Sequence, residues 1–195
     1  MQDRSFKHVL AEKDHLNKRL YFVGWLTQKL KRGTTVPVLV GPSALEYYTN
    51  HAFICTSVDI LWNNPDLLTK ILTPYGFQRE GRFWISNEAG LIVENVGRIC
   101  DYNITILTTS FGDVSVISRE DLILDLLQNY KWLNSIDDYQ WAKLMIASNC
   151  NLLDFQYLGK SAEQLGLMGT LNRAFAEGWE VLWKIKNSQE GVHNV

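Results

Sequence analysis

Ser57 and Asp59 stand two residues apart in Ser57-Val58-Asp59-Ile60, inside an apolar run that reads as a strand. On a strand, side chains two apart point to one side. Two carboxylates at that spacing, joined by a third from a neighbouring strand, can hold Mg²⁺ against a nucleoside triphosphate. Here one member of the pair is serine, which is neutral at pH 7 and a weaker Mg²⁺ ligand. Upstream, Gly41-Pro42-Ser43 follows the β-branched run Val36 to Val40. Gly41 permits close backbone approach, and the helix start behind it offers unpaired N–H groups and partial positive charge. Ser43 can add a hydroxyl bond to a phosphate oxygen, while Pro42 removes one N–H donor. The competing reading is structural: Gly41 serves a turn, Ser43 caps a helix and Asp59 ends a strand.

Glu94, inside Leu91-Ile92-Val93-Glu94-Asn95-Val96, is the candidate third acid, with Asp101 behind it in a turn-like Asp101-Tyr102-Asn103. The alternative for Glu94 is a solvent-facing position. Arg79, Arg82 and Arg98 have the planar fork that matches phosphate, although solvated edge positions are the commoner fate. Trp62 and Trp84 either stack on a base or pack in the core. No nucleophile–base pairing emerges from the four histidines and three cysteines.

The elements that must position these residues follow from periodicity. Residues 5 to 31 read as one helix, with Val9, Leu16, Leu20, Val23, Leu26 and Leu30 as its stripe. Lys29, Lys31 and Arg32 suit its C-terminal end, and Gly33 can stop it. His8 and His15 would share a face there, as a solvated pair. Val36 to Val40 is a strand, Ala44 to Thr49 a helix stopped by Asn50-His51, and Ile54 to Trp62 a strand. Asn63-Asn64-Pro65-Asp66 caps the next helix, with Leu67, Leu68, Ile71 and Leu72 on its buried face. Further strands are expected at Arg82 to Ser86, Leu91 to Val96, Ile104 to Thr109 and Val114 to Ile117. Ser118 and Ser135 each precede an acid at capping-box spacing. Helices follow, with Leu122, Ile123, Leu126, Leu127 and Tyr130 inward in one, and Trp141, Leu144 and Met145 in the next. Two more helices are expected, over Lys160 to Gly166 and Thr170 to Asn187. The latter has Leu171, Phe175, Trp179, Leu182 and Trp183 as its apolar side.

The strand ending in Gly41-Pro42-Ser43-Ala44, the helix carrying Leu45, Tyr47 and Tyr48, and the strand Thr56-Ser57-Val58-Asp59-Ile60-Leu61 resemble the nucleotidyltransferase superfamily, the polymerase-beta-like fold. Among its members they are most similar to small bacterial nucleotidyltransferase-like proteins related to abortive-infection toxins. The following Gly76-Phe77 and the segment around Ser118-Arg119-Glu120-Asp121-Leu122-Ile123 keep the same layout. The resemblance spans about residues 36 to 165. Two positions depart from it: Pro42 stands for the second glycine and Ser57 for the first aspartate. The resemblance implies an α/β (α+β) fold, a mixed sheet flanked by helices with a C-terminal helical extension. Residues 1–117 would form the core, and 118–195 an extension packed on it. It implies transfer of a nucleoside monophosphate from an NTP to a hydroxyl acceptor on RNA, protein or a small molecule, with Mg²⁺ or Mn²⁺. Asp59 and Glu94 would bind metal and act in catalysis; Gly41, Ser43, Ser57 and Arg82 would hold the nucleotide. Because of Ser57 a weak or inactive centre is also consistent. The alternative is a non-catalytic nucleotide- or protein-binding module of a toxin–antitoxin-like or regulatory pair.

Composition bounds the rest. The 195 residues, 46% of them hydrophobic, suffice for one ordinary globular domain with a helical extension. A net charge of −2 supplies no global pull toward nucleic acid or anionic membrane. No apolar run approaches the roughly 18 residues of a membrane span. Cys55, Cys100 and Cys150 are widely spaced and lack metal-ligand spacing, so reduced thiols in a cytoplasmic protein are the expectation.

Overall fold

The computed structural model describes residues 3–30 and 35–190, with side chains through residue 179. The chain divides into two compact units, Met1–Ser118 and Arg119–Val195.

The first unit begins with α1 (Arg4–Ala11) and α2 (His15–Leu30). The single helix expected over 5 to 31 is thus two helices; Lys31, Arg32 and Gly33 lie outside the described residues. The break has a local cause. The Glu12 carboxylate accepts from the Lys13 and Asp14 N–H groups at 2.8 and 2.9 Å, and Asp14 then accepts from Asn17 N–H at 2.8 Å. Acidic side chains that bond nearby backbone compete with the helix ladder and favour its ends. The break also separates His8 from His15, which are both exposed. The whole expected stripe, Val9 through Leu30, is buried.

Next come β1 (Val38–Leu39), α3 (Gly41–Tyr48), β2 (Ser57–Leu61) and α4 (Pro65–Leu72). Asn50 and His51 end the α3 region with positive φ of 48° and 67°. The strand expected from Ile54 is shorter, because Ile54 is 75% exposed. Asn64 caps α4 by accepting from Leu67 N–H at 3.0 Å. Leu68 and Leu72 are buried beneath it, whereas Leu67 turns outward. Four strands complete the expected β region: β4 (Phe83–Ser86), β5 (Leu91–Gly97), β6 (Ile104–Thr109) and β7 (Gly112–Ile117). One more strand, β3 (Gln78–Glu80), pairs with β4 through the turn at Gly81, where φ is +62°.

The described strands form one mixed sheet ordered β3-β4-β5-β2-β1-β7-β6. Pairs β2–β5 and β1–β7 are parallel, and the others are antiparallel. On β2 and β5, Val58, Ile60 and Val93 share a face and are wholly buried. Trp84 extends that apolar face, with its indole N–H on Thr69 Oγ1 at 3.0 Å. Ser57, Asp59 and Glu94 occupy the opposite face. Trp62 is also buried, and its N–H donates to the Asn64 carbonyl at 2.8 Å. Both tryptophans therefore take the core role.

The second unit contains α5 (Arg119–Leu133), α6 (Ile136–Asn149), α7 (Phe155–Gln164) and α8 (Met168–Glu190). Ser135 caps α6 as its spacing predicts, at 3.5 Å from Asp138 N–H. Asp154 caps α7 at 2.9 Å from Tyr157 N–H, several residues before the expected start. On α8, Leu171 is buried and Trp179 is 56% exposed, so Trp179 is not part of an inward face. Leu182 and Trp183 lie outside the described side chains.

Candidate functional site

The site is built where β1 passes into α3 and meets β2. Val40, the residue preceding α3, has no side-chain oxygen to cap the helix. The first N–H groups of a helix lack intrahelical partners. Asp59 on β2 meets that need from outside. Its Oδ2 accepts from Ser43 N–H at 3.3 Å and lies 3.2 Å from Ser43 Oγ. Its Oδ1 accepts from Ser57 Oγ–H at 2.7 Å. Ser43 Oγ accepts in turn from Asp59 N–H at 2.9 Å. The one Ser43 hydroxyl proton is shared between Asp59 Oδ2 and the Ser57 carbonyl, which lies at 2.9 Å. A backbone bond from Val40 N–H to the Asp59 carbonyl, 3.0 Å, closes the joint. Asp59 is only 2% exposed.

Gly41 has φ of +53°, so the turn itself requires glycine. A Cβ at that position would meet open space. The expected juxtaposition of Gly41, Ser43, Ser57 and Asp59 is thus present. The Ser43 N–H that could greet a phosphate is, however, already given to Asp59.

Glu94 sits in register with Asp59 across the parallel β2–β5 ladder. Its side chain is 16% exposed and pairs with the Arg82 guanidinium at 2.8 Å. Arg79 pairs with Asp66 at 3.0 Å and lies over the Trp84 ring. Arg98 is exposed beyond the end of β5, and Asp101 is exposed in its turn.

A second polar cluster adjoins the first and carries residues with no motif in the sequence. Glu46, on α3, forms a buried ion pair with Arg19 of α2. It also accepts from Cys55 N–H at 2.8 Å, and His51 Nδ1 lies 3.7 Å from its other oxygen. Burial, reinforced by Glu46, pushes the Cys55 thiol up to about 12. Cys55 is therefore a protonated, unreactive thiol at neutral pH. The one legible signal was Arg19 itself, a charge set beside Leu20 in an otherwise apolar stripe.

The residues do not fit a two-metal centre. Among the described residues no three His, Cys, Asp or Glu side chains converge. Asp59 is enclosed by hydroxyls and an N–H, Ser57 carries no charge, and Glu94 is paired with a cation. A roomy cavity of about 780 Å³ does exist in this unit, lined in part by Phe6, Lys7, Leu10, Pro74 and Tyr75. It lies apart from Asp59, and its acid Asp3 is already engaged by Lys29, Ser5 and Trp25. Size alone does not make it the centre of the chemistry.

No family model and no curated protein matches the sequence. Solved structures do. The antigenic nucleotidyltransferase-like protein from Paracoccidioides brasiliensis superposes with a TM-score of 0.54 at 16% identity. The match covers 84% of this chain and 93% of that one. The antibiotic-resistance factor ANT(2'')-Ia aligns over 96% of this chain and 99% of its own, at 10% identity and a TM-score of 0.46. The mixed sheet flanked by helices is accordingly a nucleotidyltransferase-like fold.

Proposed function

We propose that this chain is a nucleotidyltransferase-like protein whose transfer centre has become a structural joint, and that it works as a binding module. One observation carries the reading: the Asp59 carboxylate is sealed and spends both oxygens on Ser43 and Ser57. Placing a divalent ion there would require breaking those bonds and adding a full charge beside a neutral Ser57. The module would serve a regulatory or toxin–antitoxin-like pair, in the cytoplasm, with a protein or nucleotide as its ligand.

A second reading keeps weak transfer from an NTP to an RNA, protein or small-molecule hydroxyl. The register of Asp59 with Glu94 on one sheet face favours it. In that case Asp59 and Glu94 would hold Mg²⁺ or Mn²⁺, with Gly41, Ser43, Ser57 and Arg82 on the nucleotide.

Melting curves with ATP, GTP, CTP and UTP, with and without Mg²⁺ or Mn²⁺, separate the two when run beside a labelled-NTP transfer assay. The first reading predicts no metal-dependent nucleotide shift and no labelled product. Metal-dependent stabilisation by an NTP that vanishes in Asp59→Asn, together with transfer, establishes the second.

A further inference from the structure

The two acids of this sheet face are neutralised by different means. Paired residues on neighbouring strands sit about 4.8 Å apart along the hydrogen-bonding direction, so like charges there oppose each other. Asp59 is answered by hydrogen bonds from serine hydroxyls and an N–H. Among the described residues, Glu94 is answered by one group alone, the Arg82 guanidinium. Backbone geometry holds Arg82 in place. Its carbonyl accepts from Asn95 N–H at 3.0 Å, next to the position where Phe83 faces Glu94. Its guanidinium lies over the Phe83 ring, 5.4 Å from the centroid.

We infer that Arg82 is the resident counter-cation of the Asp59–Glu94 pair, a tethered side chain that answers the charge a divalent ion would otherwise answer. This deepens the reading that the centre is not a two-metal site, and rests on it. Arg79 cannot take over the task, since it is committed to Asp66 and Trp84. A fixed cation beside Glu94 repels an incoming divalent ion as well as occupying its ligand. The Arg82 head is 65% exposed, so water screens the effect without removing it.

Mn²⁺ binding tests this. Titration followed by electron paramagnetic resonance is run on wild type, Ser57→Asp, and Ser57→Asp with Arg82→Gln. The double variant carrying Glu94→Gln is added, and circular dichroism checks each fold. Wild type is expected to bind no Mn²⁺ at this site. Removing Arg82 is expected to tighten Mn²⁺ at least about tenfold over Ser57→Asp alone, and Glu94→Gln is expected to abolish that gain. Equal Mn²⁺ affinity with and without Arg82, or a folded double variant that binds none, overturns the counter-cation role and leaves the structural-joint reading standing. Mn²⁺ binding by wild type that is lost in Asp59→Asn overturns that reading itself.

Discussion

Buried carboxylates are retained where something nearby needs an acceptor. Glu46 illustrates this as clearly as Asp59. Its oxygens serve Arg19, Cys55 N–H and the neighbourhood of His51. Removing one partner of a buried pair strands the other without compensation. Glu46→Ala is therefore predicted to destabilise the protein by about 3–5 kcal/mol, read from urea unfolding. A loss below about 1 kcal/mol would show that Arg19 finds water once unpaired. Cys55 offers a second check at the same scale. Its raised pKa and burial predict that a thiol reagent leaves it unlabelled at pH 8 until the protein unfolds. Fast labelling of Cys55 in the native protein would show that the cluster opens.

At the scale of the element, the Asp3 cap joins α1 to α2. Asp3 accepts from Ser5 N–H at 3.0 Å and pairs with Lys29, and both contacts hold its carboxyl well below the usual carboxylate range. A depressed acid adds stability above its unfolded pKa and loses it as pH falls through the folded value. The Asp3 contribution should thus be complete above about pH 5 and decline progressively below about pH 4. Comparing acid unfolding of wild type and Asp3→Asn checks this: the two should differ near neutrality and converge in acid. What the sequence made legible at this scale depended on the kind of signal. Short strands were visible because β-branched runs ended in Gly, Asn or Pro, and Asn64 and Ser135 announced their helices. The break at Glu12–Asp14 stayed hidden because the apolar stripe continued across it, and periodicity cannot report a side chain bonding to backbone. The strand β3 was obscured by its wholly exposed Gln-Arg-Glu composition. At the site, the Gly-Ser turn and the facing acid could be read from spacing, and so could Glu94 on a later strand. That Asp59 is sealed and Glu94 tied to Arg82 could not be, since both depend on pairings distant in sequence.

For the whole molecule, the charge balance and the sheet restrict what it can bind. With net charge −2 it lacks the electrostatic drive that makes nucleic-acid binding strong and salt-dependent. Little retention on heparin is expected at about 0.15 M salt, and tight retention would reveal a basic surface that formal charge does not report. No helix among the described residues is long and apolar enough to cross a membrane. The nucleotidyltransferase-like fold supplies a frame, and a frame does not determine chemistry. The account turns on whether Asp59 holds the helix or serves a reaction, and the unfolding free energy of Asp59→Asn against wild type decides it. An acid kept for catalysis usually costs stability, so its amide makes the protein more stable. An acid that caps a helix cannot be replaced without loss. The predicted result is a loss of about 1–3 kcal/mol; an Asp59→Asn protein as stable as wild type, or more stable, would contradict it.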